Sequence, residues 1–116
     1  MKKYTWKQDA INHAKECAPE ESCGVIGIKN FKEKYYPCKN ISYEFKAESF
    51  VIDPVDWAYI EDSVDEIIGI VHSHPQDVLE FSESDKHSCK AIDLTFYLVS
   101  PKSDKIAVIK PNEIDA

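Results

Sequence analysis

Two histidines separated by one residue, His72 and His74, end the most apolar segment of the chain, and Asp85 follows in the next predicted helix. Alternate side chains of an extended strand point to the same side, so both imidazoles can face one metal ion at about 2.0–2.1 Å. A carboxylate on the first helical turn can reach back as a third ligand. Two histidines and one carboxylate leave a position open for water, which is typical of a catalytic zinc site. We therefore predict that His72, His74 and Asp85 bind one Zn²⁺.

Simpler explanations exist for each part of this pattern. A lone histidine is more often a solvated side chain than a ligand, so His13 and His87 are assigned no role. Ser82 and Asp85, three residues apart, would form a helix capping box if taken alone. The combination H-x-H-P, six residues and S-x-x-D is far rarer than either half, and it favours the metal site.

Composition limits the function classes. The chain has 116 residues and a net charge of −7, and we expect one domain over residues 1–116. All 14 basic residues are lysines, so the chain has no guanidinium group for bidentate phosphate contacts, and nucleic-acid binding is disfavoured. The four cysteines form no C-x-x-C pair and are expected to be reduced, mostly buried thiols. The charged N-terminal segment predicts no signal peptide, and no apolar run is long enough to span a membrane.

The elements that must position these residues follow from hydrophobic periodicity and from proline and capping signals. The apolar run 66–72 predicts a central strand buried on both faces. The pattern as a whole predicts an α/β or α+β fold with a central mixed β-sheet flanked by helices. The predicted helices are 6–18, 54–64 and 82–92, and the predicted strands are 22–28, 32–37, 45–52, 66–72, 95–100 and 105–110.

The two halves of the zinc motif resemble a known family. The segment from His72 to Pro75, followed by Ser82 and Asp85, is similar to the signature of the JAMM (MPN-type) zinc metallopeptidases. The segment 19–24, PEESCG, resembles the catalytic-glutamate segment of the same family. The resemblance covers nearly the whole chain, and it implies a JAMM/MPN-type fold with an architecture like that of cytidine deaminases.

Carried over to this sequence, the resemblance implies hydrolysis of a peptide or isopeptide bond by a zinc-activated water. It makes Glu21 the general acid/base and Ser82 a hydroxyl donor to the tetrahedral oxyanion. Charge alone does not distinguish Glu21 from Glu20. The E-x-C-G spacing selects Glu21, and strand alternation is expected to send Glu20 to the opposite face.

Within the family, segments 50–62 and 70–75 are most similar to the N-terminal domain of the tail-assembly proteins K of tailed phages. This similarity implies a peptide or protein substrate, with tail proteins or an NlpC-type cysteine peptidase domain as partners. Nothing after Pro111 resembles an NlpC-type domain, so we expect either a fragment or a stand-alone version. The implied location is the host cytoplasm during assembly or the virion tail if the chain is phage-encoded, and otherwise the cytoplasm.

Two other functions were weighed against a peptidase. A nucleobase deaminase also combines zinc with a glutamate, but its H-x-E and P-C-x-x-C elements are missing here. A binding or assembly module of a phage tail with an idle hydrolytic site is the main alternative, and the complete motif favours activity over it. The sequence does not choose between a tail protein and a cell-wall peptide as the substrate.

Overall fold

The fold is built on one five-stranded sheet with the strand order β2-β1-β3-β4-β5. The structure is a computed structural model and describes residues 5–42 and 49–114. Its elements are α1 (Trp6–Cys17), β1 (Cys23–Lys29), β2 (Lys32–Cys38), α2 (Pro54–Ser63), β3 (Glu66–Ser73), α3 (Glu83–Ile92), β4 (Thr95–Val99), β5 (Ile106–Ile109) and a short 3-10 helix (Pro111–Glu113). The β3–β4 pair is parallel and the other pairs are antiparallel, so the sheet is mixed, as predicted.

Strand β3 is buried between helices on both faces of the sheet. Val71 packs on one face in a cluster with the α1 residues Ala10 and Ala14. Ile70 packs on the other face in a cluster with Cys89 of α3. The predicted central strand is confirmed, because an apolar run without alternation is what a strand covered on both faces requires.

Local signals fix the ends of several elements as the sequence predicted. The Asp53 side chain accepts the Val55 N–H at 2.9 Å and begins α2, with Pro54 at its first position. Strands β1 and β2 form the predicted hairpin. Its two turn residues, Asn30 and Phe31, have φ angles of 53° and 64°, which is the left-handed pair of a tight type I′ turn.

The predicted strand over 45–52 is wrong in the part that can be compared. Residues 43–48 lie outside the described residues, and residues 49–52 form no strand beyond one bridge between Ile52 and Asn40. The reason is that the Asn40 side chain makes hydrogen bonds to this segment that the backbone of a neighbouring strand would otherwise make. The Asn40 amide donates to the Ser49 carbonyl at 3.0 Å, and its oxygen accepts the Val51 N–H at 3.1 Å.

The four cysteines are free thiols, and Cys23, Cys38 and Cys89 are buried, in agreement with the sequence. Burial raises the pKa of Cys38 to about 12, so this thiol stays protonated near neutral pH. Over residues 5–42 and 49–114, no helix has the length and apolar character needed to cross a membrane.

A substitution at Gly24 tests how tightly the Tyr35 side chain packs against β1. A Cβ placed on Gly24 would overlap the ring of Tyr35, which is 3% exposed. That ring has little freedom to move, because its hydroxyl lies 2.6 Å from His13 Nδ1 and donates to the Cys23 carbonyl at 3.3 Å. Gly24→Ala should therefore lower the free energy of unfolding by about 1–3 kcal/mol in a denaturant titration.

The matched control is Gly27→Ala in the same strand. The added methyl there first meets the end of the Val64 side chain, which can rotate away more easily than a buried ring. The loss should be smaller than that of Gly24→Ala. Equal losses in the two variants would show that the Tyr35 ring is not what requires Gly24.

Candidate metal centre

The end of β3 is fixed on both sides by its neighbouring strands. His72 faces Cys23 of β1 and Leu98 of β4 in the register of the sheet. Next to it, the Ser73 N–H donates to the Ser22 carbonyl at 3.1 Å, and the Ser22 N–H donates to the Ser73 hydroxyl at 2.7 Å. These two bonds bring the segment that precedes β1 alongside the end of β3.

The His72 ring is fully buried and enclosed by aromatic side chains. Phe50 stacks on it with ring centroids 4.6 Å apart and an interplanar angle of 20°. Phe81 and Phe96 approach it edge-on, each at 6.2 Å. Burial lowers the pKa of His72 and outweighs the opposing effect of Asp85, so the imidazole is neutral near pH 7, which is the form that binds a metal.

His74 is oriented by the loop that follows it. Its Nδ1 lies 2.8 Å from the Val78 carbonyl, and a carbonyl can only accept, so Nδ1 carries the proton in the neutral ring. Nε2 is then left with a lone pair. The loop is held in turn by Asp77, whose N–H donates to the His74 carbonyl and whose carboxylate accepts from the hydroxyls of Ser100 and Ser103.

Asp85 reaches the histidines from the first turn of α3. Its Oδ2 lies 3.2 Å from His72 Nε2 and 3.7 Å from His74 Nε2. The same oxygen accepts the Ser82 N–H at 3.0 Å, and the Ser82 hydroxyl accepts the Asp85 N–H at 3.0 Å, which completes a capping box. Burial alone would raise the pKa of Asp85, but the two adjacent imidazoles and the Ser82 N–H outweigh this effect and hold that pKa well below its usual range.

Glu21 approaches the same two histidines from the segment before β1. It is 4% exposed, and one oxygen of Glu21 and one nitrogen each of His72 and His74 all lie within 4.8 Å of one another. Glu20 is exposed. Glu20 and Glu21 therefore differ in burial, but the predicted alternation to opposite faces of a strand is wrong, because both residues precede β1.

The structure thus gathers all five residues singled out in the sequence. The two histidines form the middle, with the Glu21 and Asp85 carboxylates each near both, and Ser82 caps the helix that carries Asp85. Both carboxylates therefore lie near enough to the two histidines to be candidates for a third ligand.

The donor set fits a zinc ion. Among the described residues, neither ring nitrogen of His72 has a hydrogen-bond partner, although Asp85 Oδ2 is near Nε2. Leaving a buried polar group unsatisfied costs about 1–3 kcal/mol, and coordination to a cation would remove that penalty for one nitrogen. Imidazole nitrogen and carboxylate oxygen are ligands that Zn²⁺ accepts.

A cleft of about 750 Å³ opens onto this centre and includes Glu21, His74, Ser82 and Asp85 in its lining. Phe50, whose position against His72 sequence reasoning missed, also lines it. No local pattern marks Phe50, because its contact with His72 depends on long-range packing. A volume of this size is typical of small-molecule binding sites.

Comparison with known proteins gives the family. The profile for prokaryotic homologs of the JAB domain matches residues 5–111. The tail tip assembly protein K of Escherichia phage N15 is 40% identical over 104 residues, which cover 89% of this chain and 42% of that protein. The chain therefore spans less than half the length of this relative.

Two solved structures share the fold at low sequence identity. A Desulfitobacterium hafniense protein gives a TM-score of 0.68 at 23% identity, covering 89% of this chain and 76% of the other. A JAB1/MPN domain protein from Archaeoglobus fulgidus gives a TM-score of 0.61 at 17% identity, covering 92% and 85%. The predicted JAMM/MPN-type fold is confirmed.

The site generates a prediction about metal content. His74→Ala removes one of the two imidazoles and should abolish stoichiometric zinc after dialysis against a weak chelator, as measured by elemental analysis. His87→Ala, which changes an exposed histidine on α3, should leave about one equivalent. A full equivalent in the His74 variant would show that the ligand assignment is wrong.

Proposed function

The chain belongs to the prokaryotic homologs of the JAB domain, and from that membership we propose that it is a JAMM-type zinc peptidase or isopeptidase. The reaction is hydrolysis of an amide bond in a peptide or protein. The strongest support is the buried His72 imidazole. Among the described residues, its ring nitrogens have no hydrogen-bond partner, and the Glu21 and Asp85 carboxylates lie close to it. His72, His74 and Asp85 would hold the Zn²⁺.

Glu21 is the proton carrier in this proposal. A Zn²⁺ ion at this site would supply a Lewis acid that lowers the pKa of water to about 7. Glu21 accepts a proton from the attacking water as the water oxygen bonds to the substrate carbonyl carbon. It then passes this proton to the amide nitrogen as the C–N bond breaks, and the products are a carboxylic acid and an amine.

Ser82 has a hydroxyl proton to donate besides its role in the helix cap. Its oxygen accepts the Asp85 N–H, which leaves the hydroxyl hydrogen free to point elsewhere. Ser82 also lines the cleft that opens onto the centre. We assign its hydroxyl to the substrate oxygen that becomes negatively charged in the transition state.

The biological setting is proposed from the similarity to the tail tip assembly protein K of phage N15. The proposed setting is phage tail assembly or cell-wall peptide cleavage, with tail proteins or an NlpC-type peptidase domain as partners. The corresponding locations are the host cytoplasm during assembly and the virion tail. A screen of tail proteins and peptidoglycan stem peptides, with the Glu21→Gln variant as the inactive control, tests this directly.

The alternative is an MPN-type binding or assembly module with an idle site. One observation favours it: Ser82 and Asp85 form a complete capping box, so both have a structural role that requires no catalysis. Zinc binding without any turnover in the substrate screen would support this alternative.

Glu21→Gln should keep the fold and the zinc but lose nearly all peptidase activity. The amide has a similar shape but cannot carry the proton, and general acid–base groups contribute about 10²–10⁴-fold. Activity, zinc content and the unfolding midpoint should be measured together. The matched control, Glu20→Gln, should change none of them, and comparable losses in the two variants would contradict the role of Glu21. Loss of zinc in Glu21→Gln would instead indicate that Glu21 is a ligand.

Ser82→Ala distinguishes a capping role from a catalytic one. Loss of the cap alone should lower stability by about 1 kcal/mol and leave the turnover of folded, zinc-loaded enzyme unchanged. Loss of an oxyanion donor should lower kcat by about 10²–10³ with little change in KM. We expect the fall in kcat together with a modest loss of stability. An unchanged kcat at full zinc occupancy would restrict Ser82 to the capping box.

A further inference from the structure

An apolar wall forms much of the lining of the cleft beside the metal centre. Its large side chains are Phe50, Ile52, Trp57, Val78, Ile92 and Phe96. No lysine lines the cleft among the described residues, and its acidic lining residues, Glu21 and Asp85, are both at the metal centre. The charged side chains of the cleft are therefore confined to the metal centre, and the rest of its lining is mostly apolar.

The wall begins in direct contact with a residue of the centre. Phe50 stacks on His72, and it also packs in the same clusters as Trp57 and Ile52. A substrate amide held at the centre would thus place its neighbouring side chain against this wall.

Three aliphatic side chains at the cleft are more exposed than is usual for their type. Val51 is 50% exposed, Val78 is 48% exposed and Ile92 is 47% exposed. Single exposed aliphatic residues need no explanation, but three that line one cleft beside a reactive centre indicate an apolar ligand. A substrate that reacts at this centre must enter this cleft, so the substrate is the occupant that would cover them.

We propose, on the basis of the peptidase function above, that the substrate is a protein segment with a large apolar side chain next to the scissile bond. Val51 and Ile92 help to select that side chain. Cell-wall stem peptides, with alanine methyl groups, fit this cleft poorly. A methyl group would leave most of the apolar wall exposed to water, whereas a large apolar side chain would cover it.

The first experiment profiles cleavage by the zinc-loaded full chain. A peptide library made by digesting a bacterial proteome and a set of stem peptides are incubated with the protein, and the cut sites are identified by mass spectrometry. Cuts should cluster beside Phe, Leu, Met or Tyr. Cuts without this preference, or cuts in stem peptides alone, would overturn the inference and leave the peptidase function standing.

The second experiment tests the selecting residues. The double variant Val51→Ser with Ile92→Ser removes apolar surface without adding charge. It should lower the ratio of kcat/KM for a Phe-containing peptide to that for its Ala counterpart by at least about tenfold. The control, Val108→Ser, changes a residue of β5 that is also 50% exposed but does not line the cleft, and it should leave the ratio unchanged. An unchanged ratio in the double variant would contradict the role of Val51 and Ile92.

A binding measurement separates this inference from the peptidase function. Trp57 lines the cleft, so its fluorescence can report peptide binding to the zinc-loaded Glu21→Gln variant in a Trp6→Phe background. The Phe peptide should bind at least about tenfold more tightly than a matched Asp peptide. Equal affinities would overturn the apolar preference. Tighter binding of the Phe peptide with no cleavage by the unmodified protein would contradict the peptidase function alone.

Discussion

The fully buried imidazole of His72 is the constraint around which the centre is arranged. Neither of its ring nitrogens has a hydrogen-bond partner among the described residues, and such a buried group is destabilising unless something else binds it. The strand that carries it is covered on both faces, so the ring cannot turn out to solvent without disrupting the core. A cation bound between the ring and the nearby carboxylates is the simplest way to satisfy one nitrogen.

At the start of α3, one carboxylate oxygen of Asp85 belongs both to the helix cap and to the candidate metal centre. Asp85 Oδ2 accepts the Ser82 N–H as part of the helix cap, and it also lies near both His72 and His74. The cap orients the carboxylate before any metal arrives, which reduces the ordering that binding requires. The same logic applies on the opposite side, where the Ser22–Ser73 bonds hold the backbone next to Glu21. The centre is thus preorganised by backbone hydrogen bonds from two separate elements.

The sequence predicted the features that depend on short spacing. The H-x-H spacing, the S-x-x-D cap and the doubly buried strand are local patterns: His72 and His74, the latter just after β3, both lie near Asp85, and the cap and the strand are where they were predicted. It could not predict that Asn40 would replace a strand partner for the segment 49–52, because that depends on two regions meeting in space. The position of Phe50 against His72 follows from the same packing. The apolar character of the cleft was missed for this reason too.

The most direct measurement of the metal centre is a zinc titration of the metal-free protein, followed by calorimetry and by thermal unfolding. We expect one equivalent to bind and the melting temperature to rise with zinc concentration. At 100 times Kd, binding to the folded state alone adds about 2.7 kcal/mol. X-ray absorption of the complex should show two histidine nitrogens among the ligands. Absence of saturable binding, with an unchanged melting temperature, would contradict a zinc site at His72 and His74.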